Sequence, residues 1–162
     1  MGDALRRRIR QNRFESPAQE ALLNLLVAAD HLRSRLEQVC SGFGLSASQY
    51  NVLRILRGVH PEGHPRCEIA RRMLERAPDV TRLIDRLVKR GWVARDRCER
   101  DRRLSISRIT AAGLELLERI GPSLESVQRE LAARVPQRDC RELSRICEEI
   151  YGQAGEAGEA GE

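Results

Sequence analysis

Hydrophobic positions change their period several times along this chain, and each change marks an element. Ala18, Leu22, Leu25, Ala29, Leu32, Leu36 and Val39 alternate steps of four and three. That spacing is a 3.5-residue seam sustained over about three heptads, so a long amphipathic helix is expected. Pro17 suits its first turn, and Gly42-Phe43-Gly44 ends it. Ser46-Ala47-Ser48-Gln49 has the form of a capping box before a core helix through Tyr50-Asn51-Val52-Leu53-Arg54-Ile55-Leu56. Residues 58–65 read as a loop, with Pro65 opening the next helix. Ile69, Ala70, Met73 and Leu74 recur at helical spacing, as do Val80, Leu83, Ile84, Leu87 and Val88. Gly91 stops that second helix. Trp92-Val93-Ala94 and Leu104 to Ile109 then read as two strands. Thr110 caps a long helix whose Leu117, Ile120, Leu124, Val127 and Leu131 repeat the seam. Pro136 interrupts, and a last helix carries Cys140, Leu143, Cys147 and Ile150 on one face.

Charge sharpens this picture. Net charge is +7 over residues 66–108, −5 over 109–162 and +3 over 1–65. The bland alternative is a solvated charged face. However, the basic excess coincides with two short helices followed by an arginine-dense hairpin, Arg95-Asp96-Arg97-Cys98-Glu99-Arg100-Asp101-Arg102-Arg103. Helix, turn, helix and basic hairpin is the layout of a winged DNA-binding module, whose second helix reads the major groove while its wing tracks the backbone or minor groove. The expected fold is mainly α with a small two- to three-stranded β wing. A winged helix-turn-helix is flanked by N- and C-terminal dimerisation helices. The expected divisions are an arm at 1–16, a first dimerisation helix at 17–44, and the winged module at 45–110. C-terminal dimerisation helices follow at 111–151, then an Ala-Gly-Glu tail at 152–162 that has nothing to bury and should be disordered. The arm reads equally as an ordered segment or a loose tail.

Several residue groups together resemble the MarR family of bacterial transcriptional regulators. They are Val80-Thr81-Arg82-Leu83-Ile84-Asp85-Arg86-Leu87, Lys89-Arg90-Gly91-Trp92-Val93, Asp101-Arg102-Arg103 and Ile109-Thr110-Ala111-Ala112-Gly113, with Ser48-Gln49-Tyr50-Asn51-Val52-Leu53 upstream. Their order and spacing are far more specific than any one alone, and the resemblance covers roughly residues 17–150. It implies a homodimer on pseudo-palindromic double-stranded DNA operators, a repressor released by a small-molecule effector or an oxidant; no cofactor is expected. Pro78, Asp79, Thr81, Arg82 and Arg86 fall on the inserted helix, expected from about Pro78 to Arg90. Arg97, Arg100, Asp101, Arg102 and Arg103 fall on the wing. The resemblance implies that Arg103 enters the groove while Asp101 holds an arginine in position. It also places an effector between the dimerisation helices and the winged module, within reach of Tyr50. Asp79 departs from the small or hydroxylated residue common at that slot. An acid there can repel phosphate or accept from a cytosine amino group.

Other chemistry is sparse. No glycine-rich phosphate loop, nucleophile elbow or Ser/His/Asp order is present, so an enzyme is not expected. His60, His64 and Cys67 lie within eight residues and form a weak metal candidate beside the plainer reading of a Pro/Gly-rich loop. Five cysteines without paired spacing argue against a secreted disulfide framework. Cys98 lies among wing arginines that favour thiolate, and Cys67 lies in the first helix of the DNA-binding pair, so these two are the redox candidates. Cys140 and Cys147 share a helix face where buried packing is the plainer role. No signal peptide follows the early arginines, and the longest apolar stretch is too short to span a bilayer, so a soluble cytoplasmic chain is expected. The competing function is a winged-helix module that binds another protein rather than DNA. Salt-dependent binding to random duplex separates the two.

Overall fold

The computed structural model describes residues 2–75, 79–97 and 105–152, with Arg97 described by its main chain alone. In chain order the elements are α1 (Asp3–Ile9), α2 (Pro17–Ser41), α3 (Ala47–Arg57), β1 (His64–Pro65) and α4 (Arg66–Arg71). They continue with α5 (Val80–Lys89), β2 (Val93–Arg97), β3 (Ser105–Ile109), α6 (Ala111–Arg134) and α7 (Gln137–Gly152). The chain divides into two compact units, residues 1–122 and 123–162.

Local signals account for the boundaries of the first unit. Ser16 Oγ accepts from the Gln19 N–H at 3.1 Å and starts α2, with Pro17 in the first turn. The capping box at α3 is complete. Ser46 Oγ accepts from the Gln49 N–H at 3.2 Å, and Gln49 Oε1 accepts from the Ser46 N–H at 2.9 Å. Gly91 takes the left-handed conformation, φ 72°, at the end of α5. Its N–H donates to the Val88 carbonyl at 2.9 Å, and the Trp92 N–H donates to Leu87 at 3.1 Å. These bonds satisfy the carbonyls that a helix end leaves open.

The core of this unit gathers α3, α4, α5, the sheet and the start of α6. Val52, Leu53, Leu56, Ile69, Ile84, Leu87, Val93, Ile109, Leu116, Leu117 and Ile120 are all nearly or fully buried. The sheet is antiparallel in the order β1-β3-β2, with His64 opposite Ser107 and Arg95 opposite Ser107 on the other edge. Long helix α2 contributes little to this core, because Cys40 is its single buried side chain. On α2, Leu22 and Leu32 of the seam are exposed, and so is Leu26 off it. The N-terminal arm is ordered: α1 seats Leu5 at 3% exposure, and Arg6 lies over the Phe14 ring.

In the second unit, Leu124 and Val127 are buried while α7 buries no side chain. Its Leu143, Ile146, Ile150 and Tyr151 stand exposed. Arg145 stiffens α7 by bridging Glu142 at 2.6 Å and also Glu149.

Several expectations are corrected. The first helix of the DNA-binding pair ends at Arg71, short of Met73 and Leu74. Met73 turns back to accept a bond from Asn51 Nδ2 at 3.7 Å, and Leu74 is left 76% exposed. His64 and Pro65, expected in a loop, pair with β3 instead. Trp92 precedes β2 rather than joining it. Cys140 and Cys147, expected to be buried, are half-buried. Gly152, expected to open the Ala-Gly-Glu tail, closes α7 instead, and residues 153–162 lie outside the described residues.

Candidate nucleic-acid interface

Helix α5 is built from two stripes of opposite character. Val80, Ile84 and Leu87 are buried against α3, α4 and β2. Arg82, Arg86 and Lys89 repeat the same spacing two positions further on, about 200° round the helix, and all three are exposed. Burial of one stripe therefore obliges the other to face solvent as a basic row. No proline or internal glycine interrupts α5, so the row stays in register over its whole length.

Asp79 sits at the N-cap of this helix. Its carboxylate accepts from the Arg82 N–H at 3.0 Å and pairs with Arg82 Nε at 2.9 Å. The acid thus satisfies an open backbone donor and complements the helix dipole. Sequence reasoning considered Asp79 only as a base reader or phosphate repeller and missed the cap. The signal was there: an Asp immediately before an apolar-periodic run is a helix start.

The wing is tied to this helix by a residue pair that sequence reasoning also missed. Arg95 Nη2 on β2 meets Asp85 Oδ1 on α5 at 2.8 Å. Arg108 and Asp96 pair on the wing strands. Between the wing and the helix pair lies a cavity of about 410 Å3, lined by Arg66, Cys67, Thr81, Ile84, Arg95 and Ser105 among others. Ser105 Oγ is buried there without a hydrogen-bond partner among the described residues. At the wing's base, Thr110 Oγ1 donates to the Gly91 carbonyl at 2.7 Å and accepts from the Gly113 N–H at 3.2 Å. One hydroxyl therefore closes α5 and opens α6.

Of the predicted site residues, Asp79, Thr81, Arg82 and Arg86 come together on the first two turns of α5. Arg97 closes β2 by its main chain. Pro78, Arg100, Asp101, Arg102, Arg103 and Cys98 lie outside the described residues. Among the described residues no three His, Cys, Asp or Glu side chains gather to hold an ion. His60 is exposed in the turn after α3, His64 is half-buried on β1, and Cys67 is exposed on α4.

A second cavity, of about 230 Å3, lies between α2, α3 and the segment after α4. Leu32, Arg33, Tyr50, Asn51, Met73 and Glu75 are among its walls. Arg33 Nη1 reaches Glu75 Oε1 at 3.7 Å across it. Near the α2–α3 turn, burial and the nearby Glu37 carboxylate push the Cys40 thiol up to about 11.

A solvent-facing basic helix, capped, backed by a hydrophobic core and tied to a β hairpin, defines a winged helix-turn-helix transcriptional regulator of the DNA-binding class. The MarR family profile matches residues 45–105. The chain is 42% identical to a MarR transcription factor from Planctomyces limnophilus, with 84% of this chain and 98% of that one covered and a TM-score of 0.67. It is 34% identical over 104 residues to the uncharacterized HTH-type transcriptional regulator YwoH of Bacillus subtilis, covering 64% of this chain and 74% of that protein. The fold also matches that of MepR from S. aureus, solved in complex with DNA, at 16% identity, 80% and 94% coverage and a TM-score of 0.72. The chain belongs to the MarR family, whose members are transcription factors and not enzymes. Among the described residues, no helix is long and apolar enough to cross a membrane.

Proposed function

We propose that this protein is a cytoplasmic homodimeric repressor that binds pseudo-palindromic double-stranded operators and is released by a small molecule or an oxidant. The observation that carries the reading is the exposed Arg82, Arg86 and Lys89 row, opposite the buried stripe of α5 and joined to the wing through Asp85 and Arg95. Thr81, Arg82 and Arg86, with Asp79 and Pro78 at the helix start, meet the major groove or its phosphates. Arg97, Arg100, Arg102 and Arg103 bring the wing to the backbone, with Arg103 in the minor groove and Asp101 holding an arginine in position. The dimer is supported by apolar side chains that one chain leaves uncovered, Leu22 and Leu26 on α2 and Ile146, Ile150 and Tyr151 on α7. Patches of this kind mark association surfaces. Two winged modules then match two half-sites.

Release by a small molecule is supported by the cavity beside Tyr50. Met73 and Glu75 form one wall, and α5 begins a few residues later, so an occupant that displaces this wall disturbs the inserted helix directly. Release by oxidation falls to Cys98 or Cys67, and loss of peroxide sensitivity in Cys98→Ser or Cys67→Ser identifies which. Selection from a random duplex pool tests the whole reading. An inverted repeat bound by a dimer, with affinity falling steeply in salt, is the expected result. A monomer, or binding that ignores duplex DNA, refutes it. A reporter behind a recovered operator, induced when the protein is removed, checks repression.

A further inference from the structure

The basic excess of the first 65 residues is not spread along them. Residues 1–16 carry five arginines and two acids, so the whole +3 of residues 1–65 sits in the N-terminal arm. The arm is held in place. Leu5 is buried and Ile9 half-buried on one side of α1, and Gly2 lies against Glu20 and Phe14. Arg6 serves this packing, lying over the Phe14 ring and within 3.8 Å of Asp3. Arg7, Arg8, Arg10 and Arg13 are different. All four are exposed, and among the described residues none of their side chains has a hydrogen bond or ion pair. Exposed arginines elsewhere do find carboxylates: Arg33 meets Asp30, Arg71 meets Glu68 and Arg145 meets Glu142. Arg10 also holds a left-handed turn, φ 54°, that glycine or asparagine adopts at less cost. Charge is kept there against the local backbone preference.

The arm stands away from the winged module. Ala29, Leu32 and Leu36 of α2 share a cavity with α3, whereas the arm packs at the start of α2. At about 1.5 Å per residue, the 25 residues of α2 extend about 37 Å from the arm to the turn that enters α3. The chemistry of the arm also selects its partner. Leu5 and Ile9 are turned inward, so α1 has no apolar face to bury in a membrane. It likewise presents no exposed aromatic or aliphatic anchor of the kind that dominates protein interfaces. Clustered guanidinium groups without such an anchor suit a phosphate backbone, which arginine meets bidentately. We propose that the arm is a second, sequence-independent DNA-binding surface, on which Arg7, Arg8, Arg10 and Arg13 hold the phosphates of a duplex segment other than the one under the winged module. It rests on the DNA-binding reading above, since the second segment is additional to the operator.

The test compares the unmodified protein with Arg7→Gln/Arg8→Gln/Arg10→Gln/Arg13→Gln, which keeps Leu5 and Arg6. Each is saturated with a short labelled operator and titrated with a random duplex carrying a second label. Energy transfer between the labels reads capture of the second duplex. For the unmodified protein, log affinity for the second duplex should fall against log salt with a slope of about −3.6, at about −0.9 for each phosphate neutralised. The glutamine variant should bind the short operator within about twofold of the parent and capture the second duplex at least about tenfold more weakly. Lysine at the same four positions should restore capture to within about threefold, because charge is retained; a lysine variant as weak as the glutamine one overturns a contact made through charge. Equal capture by the parent and the glutamine variant overturns the proposal, as does capture by neither. A matching loss of operator affinity puts the arm on the same duplex and overturns it too. So does binding of polyglutamate or phosphatidylglycerol vesicles by the parent while random duplex is ignored. If the unmodified protein binds no operator, the regulator reading fails, and titration of random duplex alone, parent against glutamine variant, still decides the arm.

Discussion

Replacing Gly113 with alanine should destabilise the protein, although the same change in a helix normally does the reverse. Gly113 lies in the first turn of α6, where it donates to Thr110 Oγ1. A Cβ there would stand 2.4 Å from the Trp92 carbonyl oxygen and 2.7 Å from Ile109 Cγ1, against ordinary contacts of 3.4–4 Å. One neighbour is backbone, so about 1 Å of movement must come from α6 or from the start of β2. Overpacking of this kind costs about 1–3 kcal/mol. The same carbonyl accepts the Thr110 N–H at 3.1 Å, and weakening that bond adds up to about 1 kcal/mol. Better helix propensity returns at most about 1 kcal/mol. A net loss of about 2 kcal/mol follows, which at a urea slope of about 2 kcal/mol/M lowers the midpoint by about 1 M. Gly121→Ala is the internal control, since its Cβ meets nothing within 4 Å. It should raise stability by up to about 1 kcal/mol. Urea unfolding followed by circular dichroism measures both. A Gly113→Ala midpoint equal to or above that of the parent refutes the argument that the glycine exists for the Trp92 contact.

Asp79→Ala should lose the α5 cap and about 1 kcal/mol of stability. Asp79→Asn keeps a capping oxygen, so a uniform gain in affinity across duplexes, measured by anisotropy, would identify the carboxylate as a phosphate repeller. A changed sequence preference would instead identify a base reader. Leu22→Asp combined with Ile150→Asp, both at exposed positions, should give folded monomers by light scattering and abolish specific operator binding; an intact dimer would remove these faces from the interface. Cys67 is exposed and should react with an alkylating reagent in the native protein at pH 8, while Cys40, buried and raised from 9.0 to about 11, should react only on unfolding. Because the folded-state value is the higher one, the Cys40 contribution to stability is complete below pH 9 and lost as pH rises towards 11. Equal labelling of both thiols in the native state would contradict this.

Much of the interface was legible in the residues because it depends on short-range order. The period of Val80, Ile84 and Leu87 faces them inward, and the same period turns Arg82 and Arg86 outward. Gly91 and Thr110 mark ends that backbone donors and acceptors impose locally. Asp79 was legible too, but its role as a cap was passed over in favour of base contacts. Pro122, inside α6, was overlooked because the seam through Leu117, Ile120 and Leu124 runs on across it.

By itself, the sequence determined the order of the main helices and the wing, the basic face of α5, the capping box of α3 and membership of the MarR family. These follow from spacings within a turn or two of helix and from a motif order that survives without coordinates. Only the tertiary structure decided that Asp85 holds Arg95, that His64 joins the sheet opposite Ser107, that Met73 leaves its helix for Asn51, and that Gly113 must be glycine. Each joins residues at least ten positions apart in sequence. Such partners are selected by how whole elements pack, and no local period encodes which of many compatible side chains will arrive opposite.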